Sequence, residues 1–321
     1  MKSKNKERYR GDGAPPNGDE TKRFPYLADQ DLVKAVNIAI TLERPLLVKG
    51  PPGTGKTKLA YSIAHELGLE AIPWPIKSTE RAKDGLYTID MVRRLQDAQL
   101  QLKDETTQSL RAQMLTPYIS FGPLGKAFSS DKQSVLLIDE VDKADIDFPN
   151  DLLHELEEKR FTIVEIDQLT KQEEKAGWQK TYQAKHYPII VITSNDEKEL
   201  SDAFLRRCIF HYIEFPAKDQ LIEIVRANTT HLKIRDEKLK SSLIERAVSQ
   251  LDKFRKIEDL RKMPATSELI DWVRVLIQWG VKPEELVENK PLSALPHWQV
   301  LFKHQPDVLR VKRTDLGENP L

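Results

Sequence analysis

The chain has 321 residues and carries 50 Lys plus Arg against 50 Asp plus Glu, so it is formally neutral and no global field draws it to nucleic acid or to a membrane surface. Its one cysteine, Cys208, excludes an internal disulfide and a Cys-rich metal site, and fits a reducing compartment. No apolar run approaches the ~18 residues needed to span a bilayer, and the Lys-rich N-terminus has no apolar core, so the expectation is a soluble cytoplasmic protein of two domains with no membrane role.

Residues 1–24 are rich in Lys, Arg, Gly and Pro with almost no apolar residues, and read as a disordered basic arm. Folded structure is expected from Phe24-Pro25-Tyr26, followed by an amphipathic helix over 29–42. The apolar run Pro45-Leu46-Leu47-Val48 predicts a buried strand, and it leads into Gly50-Pro51-Pro52-Gly53-Thr54-Gly55-Lys56-Thr57. That octet is a complete G-x-x-x-x-G-K-T phosphate loop. Behind it Leu59, Ala60, Ile63, Ala64 and Leu67 repeat at helical spacing until Gly68 ends the helix. In the order strand, Gly-rich turn, helix, the glycines let backbone N–H groups turn onto a nucleotide's phosphates, which the helix N-terminus also attracts. Lys56 would supply charge for the β- and γ-phosphates, and the Thr57 hydroxyl would ligate Mg²⁺. Gly50, Pro51, Pro52, Gly53, Thr54, Gly55, Lys56, Thr57 and the next residue, Lys58, form the expected ATP-binding set. The competing account is a strand-to-helix turn that happens to contain glycines.

A second strand is expected over 70–76. Between 77 and 121, Val92, Leu95, Ala98 and Leu102 suggest one helix, and Leu110 and Met114 another. The stretch from Gly122 to Phe128 then leads into Val135-Leu136-Leu137-Ile138-Asp139-Glu140, a central buried strand ended by two acids. Asp139 would hold Mg²⁺, directly or through water, and Glu140 would polarise the water that attacks the γ-phosphate. Alone the pair reads equally as a solvated strand end; the phosphate loop upstream gives it meaning.

A short helix is expected over 149–159, then a β-hairpin with a charged tip over 161–188. The strand Ile189-Ile190-Val191-Ile192-Thr193 ends in Ser194-Asn195-Asp196. From Lys218 the pattern turns helical: Leu221, Ile224 and Val225; then Leu239, Leu243, Ile244, Ala247 and Leu251; then Leu269, Trp272, Val273 and Leu276. Helices segregated after an α/β half imply a separate helical domain, on which Trp298, Leu301 and Phe302 would dock the C-terminal tail. The expected organisation is an arm over 1–24, an α/β nucleotide-binding domain over 25–216, a helical lid over 217–295 and a tail over 296–321. The fold class is α/β: a P-loop NTPase three-layer αβα sandwich with a parallel central sheet, followed by a small all-α lid.

With loop, acidic strand, Asn-ended strand and helical C-terminal domain in this order, the chain resembles the AAA+ ATPases, and within them the MoxR-like branch, over about residues 24–290. The resemblance implies that Asn195 is the sensor 1 residue, which helps orient the attacking water between the γ-phosphate and Glu140. It places the arginine-finger stretch on Leu200-Ser201-Asp202-Ala203-Phe204-Leu205-Arg206-Arg207. There Arg207 lines up with the finger and Arg206 with a position often acidic; a surface contact with a carboxylate is the alternative for both. It also identifies 77–121 with the branch's helix-2 insert and 161–188 with its pre-sensor-1 hairpin, elements that face the pore or the substrate in such rings. One departure stands out. Where the family often places its sensor 2 arginine, the chain reads Met263-Pro264-Ala265-Thr266-Ser267-Glu268-Leu269-Ile270-Asp271-Trp272. Thr266 is a suitable N-cap there, and Arg261, Lys262 and Arg274 are left as open substitutes.

The resemblance implies a chaperone-like ATPase that works as a homo-oligomeric ring, a hexamer, on a protein partner, often one with a von Willebrand A domain. Two alternatives stand beside it. One is a GTP- or ATP-driven motor subunit of a nucleic-acid restriction complex; Asp142-Lys143-Ala144-Asp145 resembles the N-K-x-D guanine reader, but its first residue is wrong and helix-start chemistry accounts for it better. The other is a nucleotide-dependent scaffold with little turnover, against which an intact Glu140 argues.

Overall fold

The computed structural model describes residues 9–101, 114–195, 197–232, 236–287 and 289–317. Its strands are β1 (Leu46–Lys49), β2 (Glu70–Pro75), β3 (Tyr87–Ile89), β4 (Ile119–Phe121), β5 (Ser134–Asp139), β6 (Arg160–Thr162), β7 (Thr181–Gln183), β8 (Ile189–Ser194) and β9 (Ile209–Tyr212). β2, β5, β8, β1 and β9 form the central five-stranded sheet in that order. The pairings β2–β5, β5–β8 and β8–β1 are parallel. Leu46 to Val48, Val135 to Ile138 and Ile189 to Ile192 are buried along their whole length, as strands of a parallel sheet covered on both faces must be. Helices Gln30–Leu42, Lys56–Leu67 and Pro123–Ser129 are among those flanking the sheet.

By its internal contacts the chain divides into two compact units. The first takes residues up to Arg10, Gln30–Lys49 and Ala60–His211; the second takes Gly11–Asp29, Gly50–Leu59 and the residues from Tyr212. The phosphate-loop residues therefore group with the C-terminal helices, a division that composition alone did not suggest. In the first unit the core gathers Leu47, Trp74, Leu124, Phe128, Leu136 and Ile190. In the second, helices Lys218–Thr229, Glu237–Arg255 and Thr266–Gln278 close around Leu251, Phe254, Leu269 and Trp272. The Phe254 ring lies 6.1 Å from Trp298 and 5.6 Å from Phe302, and a further helix, Gln305–Asp315, follows them.

The arm differs from its expectation. Residues 1–8 lie outside the described residues, but Tyr9 is 1% exposed. Its hydroxyl shares a hydrogen bond with Ser62 Oγ at 3.1 Å, and its main chain exchanges hydrogen bonds with the Asn37 side chain. Further on, Phe24 N–H donates to Gly13 O and Ala28 N–H to Gly11 O. One aromatic anchor and satisfied backbone groups order residues 9–24, which an average over a polar composition conceals.

The region 77–121 also departs from the reading as two helices. β3 and β4 pair antiparallel, Tyr87 opposite Phe121 and Ile89 opposite Ile119, around the helix Met91–Gln101. Met91, Val92 and Leu95 on that helix are more than half exposed, so their spacing marks no core-facing stripe. Leu102 and Leu110 lie outside the described residues, and Met114 is not helical. β6 and β7 form the antiparallel hairpin, with Phe161 stacked on Tyr182 at 5.3 Å. Its tip carries a short helix, Lys171–Lys175, closed by a reciprocal capping box between Thr170 and Glu173. Among the described residues no helix is long and apolar enough to cross a membrane.

Candidate functional site

β1 ends at Lys49 and the chain turns through the phosphate loop into the helix Lys56–Leu67. Two glycines there have no substitute. Gly53 has φ 78°, and a Cβ on it would stand 2.6 Å from Ala265 Cβ. Gly55 has φ 93°, and its Cβ would stand 3.2 Å from the Tyr26 ring. Lys56 is 6% exposed, and its ammonium donates to Gly50 O at 2.7 Å and Pro51 O at 2.9 Å. Neutral carbonyls hold it where phosphate oxygens would make stronger, charge-assisted bonds. Thr54 Oγ1 donates to Pro51 O at 2.8 Å, which closes the loop on itself. Thr57 is exposed in the first helical turn. Lys58 Nζ donates to Asn228 Oδ1 at 3.3 Å. Burial lowers the Lys58 pKa, the nearby Arg274 charge lowers it further, and Asp271 opposes both.

At the carboxyl end of β5 the acids belong to one network. Parallel pairing sets Ile138 opposite Ile192, so Asp139 and Thr193 follow side by side. Thr193 Oγ1 donates to Asp139 Oδ1 at 2.7 Å and accepts from Glu140 N–H at 2.8 Å. Glu140 holds a left-handed backbone, φ 59° and ψ 53°, a costly conformation for a residue with a side chain. Asn195 Nδ2 donates to Glu140 Oε1 at 3.1 Å, and the Lys143 ammonium pairs with Glu140 Oε2. That pairing raises the Lys143 pKa, chiefly through the hydrogen bond and then through the Glu140 charge. Asp142, 2% exposed, accepts the N–H groups of Asn195 at 2.8 Å and Glu197 at 3.0 Å. It lies in the first turn of the short 3-10 helix Val141–Lys143, and its carboxylate ties the turn after β5 to the loop after β8.

Asp139, Glu140 and Asn195 are thus brought together; Thr193 joins them without having been singled out, as do Asp142 and Lys143, which the sequence offered only within a stretch resembling a guanine reader. A signal for Thr193 was present: a polar residue ending an apolar strand, in register with the acid of its neighbour. Asp139 in the first unit and Thr57 in the second are each hard oxygen donors of the kind Mg²⁺ takes alongside phosphate and water.

The carboxylate contact left open for both arginines is made by one of them. Arg207 Nε donates to Glu157 Oε1 at 2.5 Å and Nη1 to Ala203 O at 2.8 Å, so the carboxylate contact belongs to Arg207. The Arg206 side chain is exposed, and its carbonyl accepts from Arg44. At the start of the helix Thr266–Gln278 the cap is Ala265, and Thr266 lies inside the helix with its hydroxyl buried and without a hydrogen-bond partner. Glu268 does the capping instead, its Oε2 accepting from Ala265 N–H at 3.1 Å and Ser267 Oγ at 2.9 Å. Lys262 Nζ lies 4.0 Å from Glu268, while Arg261 and Lys262 give their backbone N–H groups to Asp307. Arg274 alone of the three open substitutes lies beside Lys58 and Asn228.

A family model described as an AAA domain (dynein-related subfamily) matches residues 45–208, just over half of the chain. Among solved structures, two mutant forms of RuvB from Thermotoga maritima are similar, with TM-scores of 0.41 and 0.40 and sequence identities of 16% and 17%. Each comparison covers 77% of this chain, and 68% and 70% of the RuvB chains. No curated protein matches the chain.

Proposed function

The chain belongs to the AAA domain family, dynein-related subfamily, and on that premise we propose that it hydrolyses ATP with Mg²⁺ in a homo-oligomeric ring, a hexamer, to remodel or activate a protein partner, as MoxR-like proteins do. Gly50 to Lys58 take the triphosphate, with Lys56 exchanging the carbonyls of Gly50 and Pro51 for phosphate oxygens. Asp139 and Thr57 would hold Mg²⁺, which when bound offsets charge on the phosphates. Glu140 accepts the proton of the attacking water. Asn195 directs that water, and Arg207 stabilises charge on the nucleotide of a neighbouring subunit once it leaves Glu157.

The observation that carries this reading is the network Asp139–Thr193–Glu140–Asn195. A merely solvated strand end has no reason to hold an acid in a left-handed turn between a donor amide and a neighbouring acid. Both Glu140 oxygens are engaged, by Asn195 and Lys143, and each keeps a further lone pair with which to accept from a water. The MoxR-like assignment is supported by the β3–β4 pair around its helix in the insert position and by the β6–β7 hairpin just before β8. A von Willebrand A domain partner and a cytoplasmic location follow from that assignment.

Steady-state turnover with ATP and with GTP, each with and without DNA, tests the proposal. Mg²⁺-dependent ATP turnover indifferent to DNA is expected. Turnover confined to GTP or dependent on DNA would favour a nucleic-acid motor, and tight binding without turnover a scaffold.

A further inference from the structure

Asn228 sits near the end of the helix Lys218–Thr229 and is 4% exposed. Its amide is fully committed. Nδ2 donates to Ile224 O at 2.9 Å and to Pro25 O at 3.2 Å, so Oδ1 faces the other way and accepts from Lys58 Nζ at 3.3 Å. Its main-chain carbonyl takes a longer contact, 3.5 Å, from Arg274 Nη2, and Arg274 Nη1 lies 3.6 Å from Asp271. The buried side chain therefore ties the segment before the phosphate loop and the first turn of the helix after it to the helix Lys218–Thr229, and the main-chain carbonyl of the same residue meets Arg274 of the helix Thr266–Gln278. Two carbonyls demand the N–H groups, so neither a carboxylate nor an apolar residue of the same size could replace this amide without leaving buried groups unpaired.

The same bundle touches the loop once more, where Ala265 and Ser267 crowd Gly53. At that helix start Glu268 caps the helix and lies 4.0 Å from Lys262 Nζ, and Ser267 stands beside it. The cationic link between loop and bundle runs lower, through Lys58. Lys58 is two residues beyond Lys56 in the same helical turn, so a loop that rearranges around phosphate moves both lysines together.

We infer that Asn228 is a positioning residue that couples the phosphate loop to the helical bundle, transmitting nucleotide binding from Lys58 to the helices 218–229 and 266–278. The inference rests on the reading of residues 50–57 as the triphosphate site. Amide hydrogen exchange of the full chain, with and without a non-hydrolysable ATP analogue, tests it, together with calorimetric affinity for the analogue. In the unaltered protein the analogue slows exchange in 56–67 and in 266–278. In Asn228→Ala, 56–67 keeps its protection while the gain in 266–278 is lost, and affinity falls about fivefold, as for one ordinary hydrogen bond.

Lys58→Met removes the donor from an exposed position without threatening the fold and produces the same split. The double variant is no weaker than Lys58→Met alone by more than about twofold, because Asn228→Ala then has no Lys58 contact left to break. Full protection of 266–278 in both single variants, or losses of affinity that multiply in the double variant, would overturn the inference while leaving the loop assignment intact. An unaltered protein that does not bind the analogue removes both.

Discussion

The Thr193 hydroxyl donates to the Asp139 carboxylate at 2.7 Å, and because it also accepts the Glu140 N–H at 2.8 Å, one buried side chain of β8 sets the position of both acids at the end of β5. Thr193→Val keeps the shape and removes the hydroxyl. Asp139 loses a donor and the Glu140 N–H an acceptor, a penalty of about 1–3 kcal/mol. Thermal unfolding should shift down accordingly, and ATP turnover should fall about tenfold as the acids drift from position. Thr193→Ser should restore most of both. A valine variant with unchanged turnover would show that the acids need no such brace.

Lys56→Ala removes the cation that offsets triphosphate charge. ATP affinity and any nucleotide-driven assembly should drop together, the first read by calorimetry and the second by light scattering. Equal affinity in the two proteins would refute the loop assignment.

Arg207 now rests on Glu157, a half-exposed pair of the kind that contributes little to stability and so opens at small cost. Arg207→Ala should bind ATP normally yet hydrolyse it poorly, by analogy with fingers worth about 10³–10⁵ in GTPase rate. Arg206→Ala should do less. Mixing Lys56→Ala with Arg207→Ala subunits should return part of the activity, because some sites then pair an intact loop with an intact finger. Confirmed co-assembly with no recovery places the finger elsewhere, and a larger defect in Arg206→Ala shifts the assignment by one residue.

The parts of this molecule legible in its sequence are those encoded locally. β1, β5 and β8 are unbroken apolar runs, and the phosphate loop is eight consecutive residues in which Gly50, Gly53 and Gly55 all take positive φ. β3, β4 and β9 were missed because three- and four-residue strands carry too few positions to show a period. Their partners are also distant in sequence, with Tyr87 pairing across to Phe121. Tyr9 was lost in the average of a polar arm. At the site, Asp139, Glu140 and Asn195 stood out by type and position. Thr193, Asp142 and Asn228 did not, because their roles come from register and from hydrogen bonds spanning more than fifty residues. Thr266 shows the opposite error: a good cap by type, displaced by one position because Glu268 caps the helix from within.

The claim that Glu140 is the base of an ATP hydrolase is tested most directly by Glu140→Gln, which keeps size and hydrogen bonding and removes the proton acceptor. Calorimetry and steady-state turnover on the same preparation decide it. The account predicts ATP affinity close to that of the unaltered protein with hydrolysis reduced at least a hundredfold, within the ~10²–10⁴ expected for a general base. Near-normal turnover in the glutamine variant would contradict it and assign the activation of water to another residue.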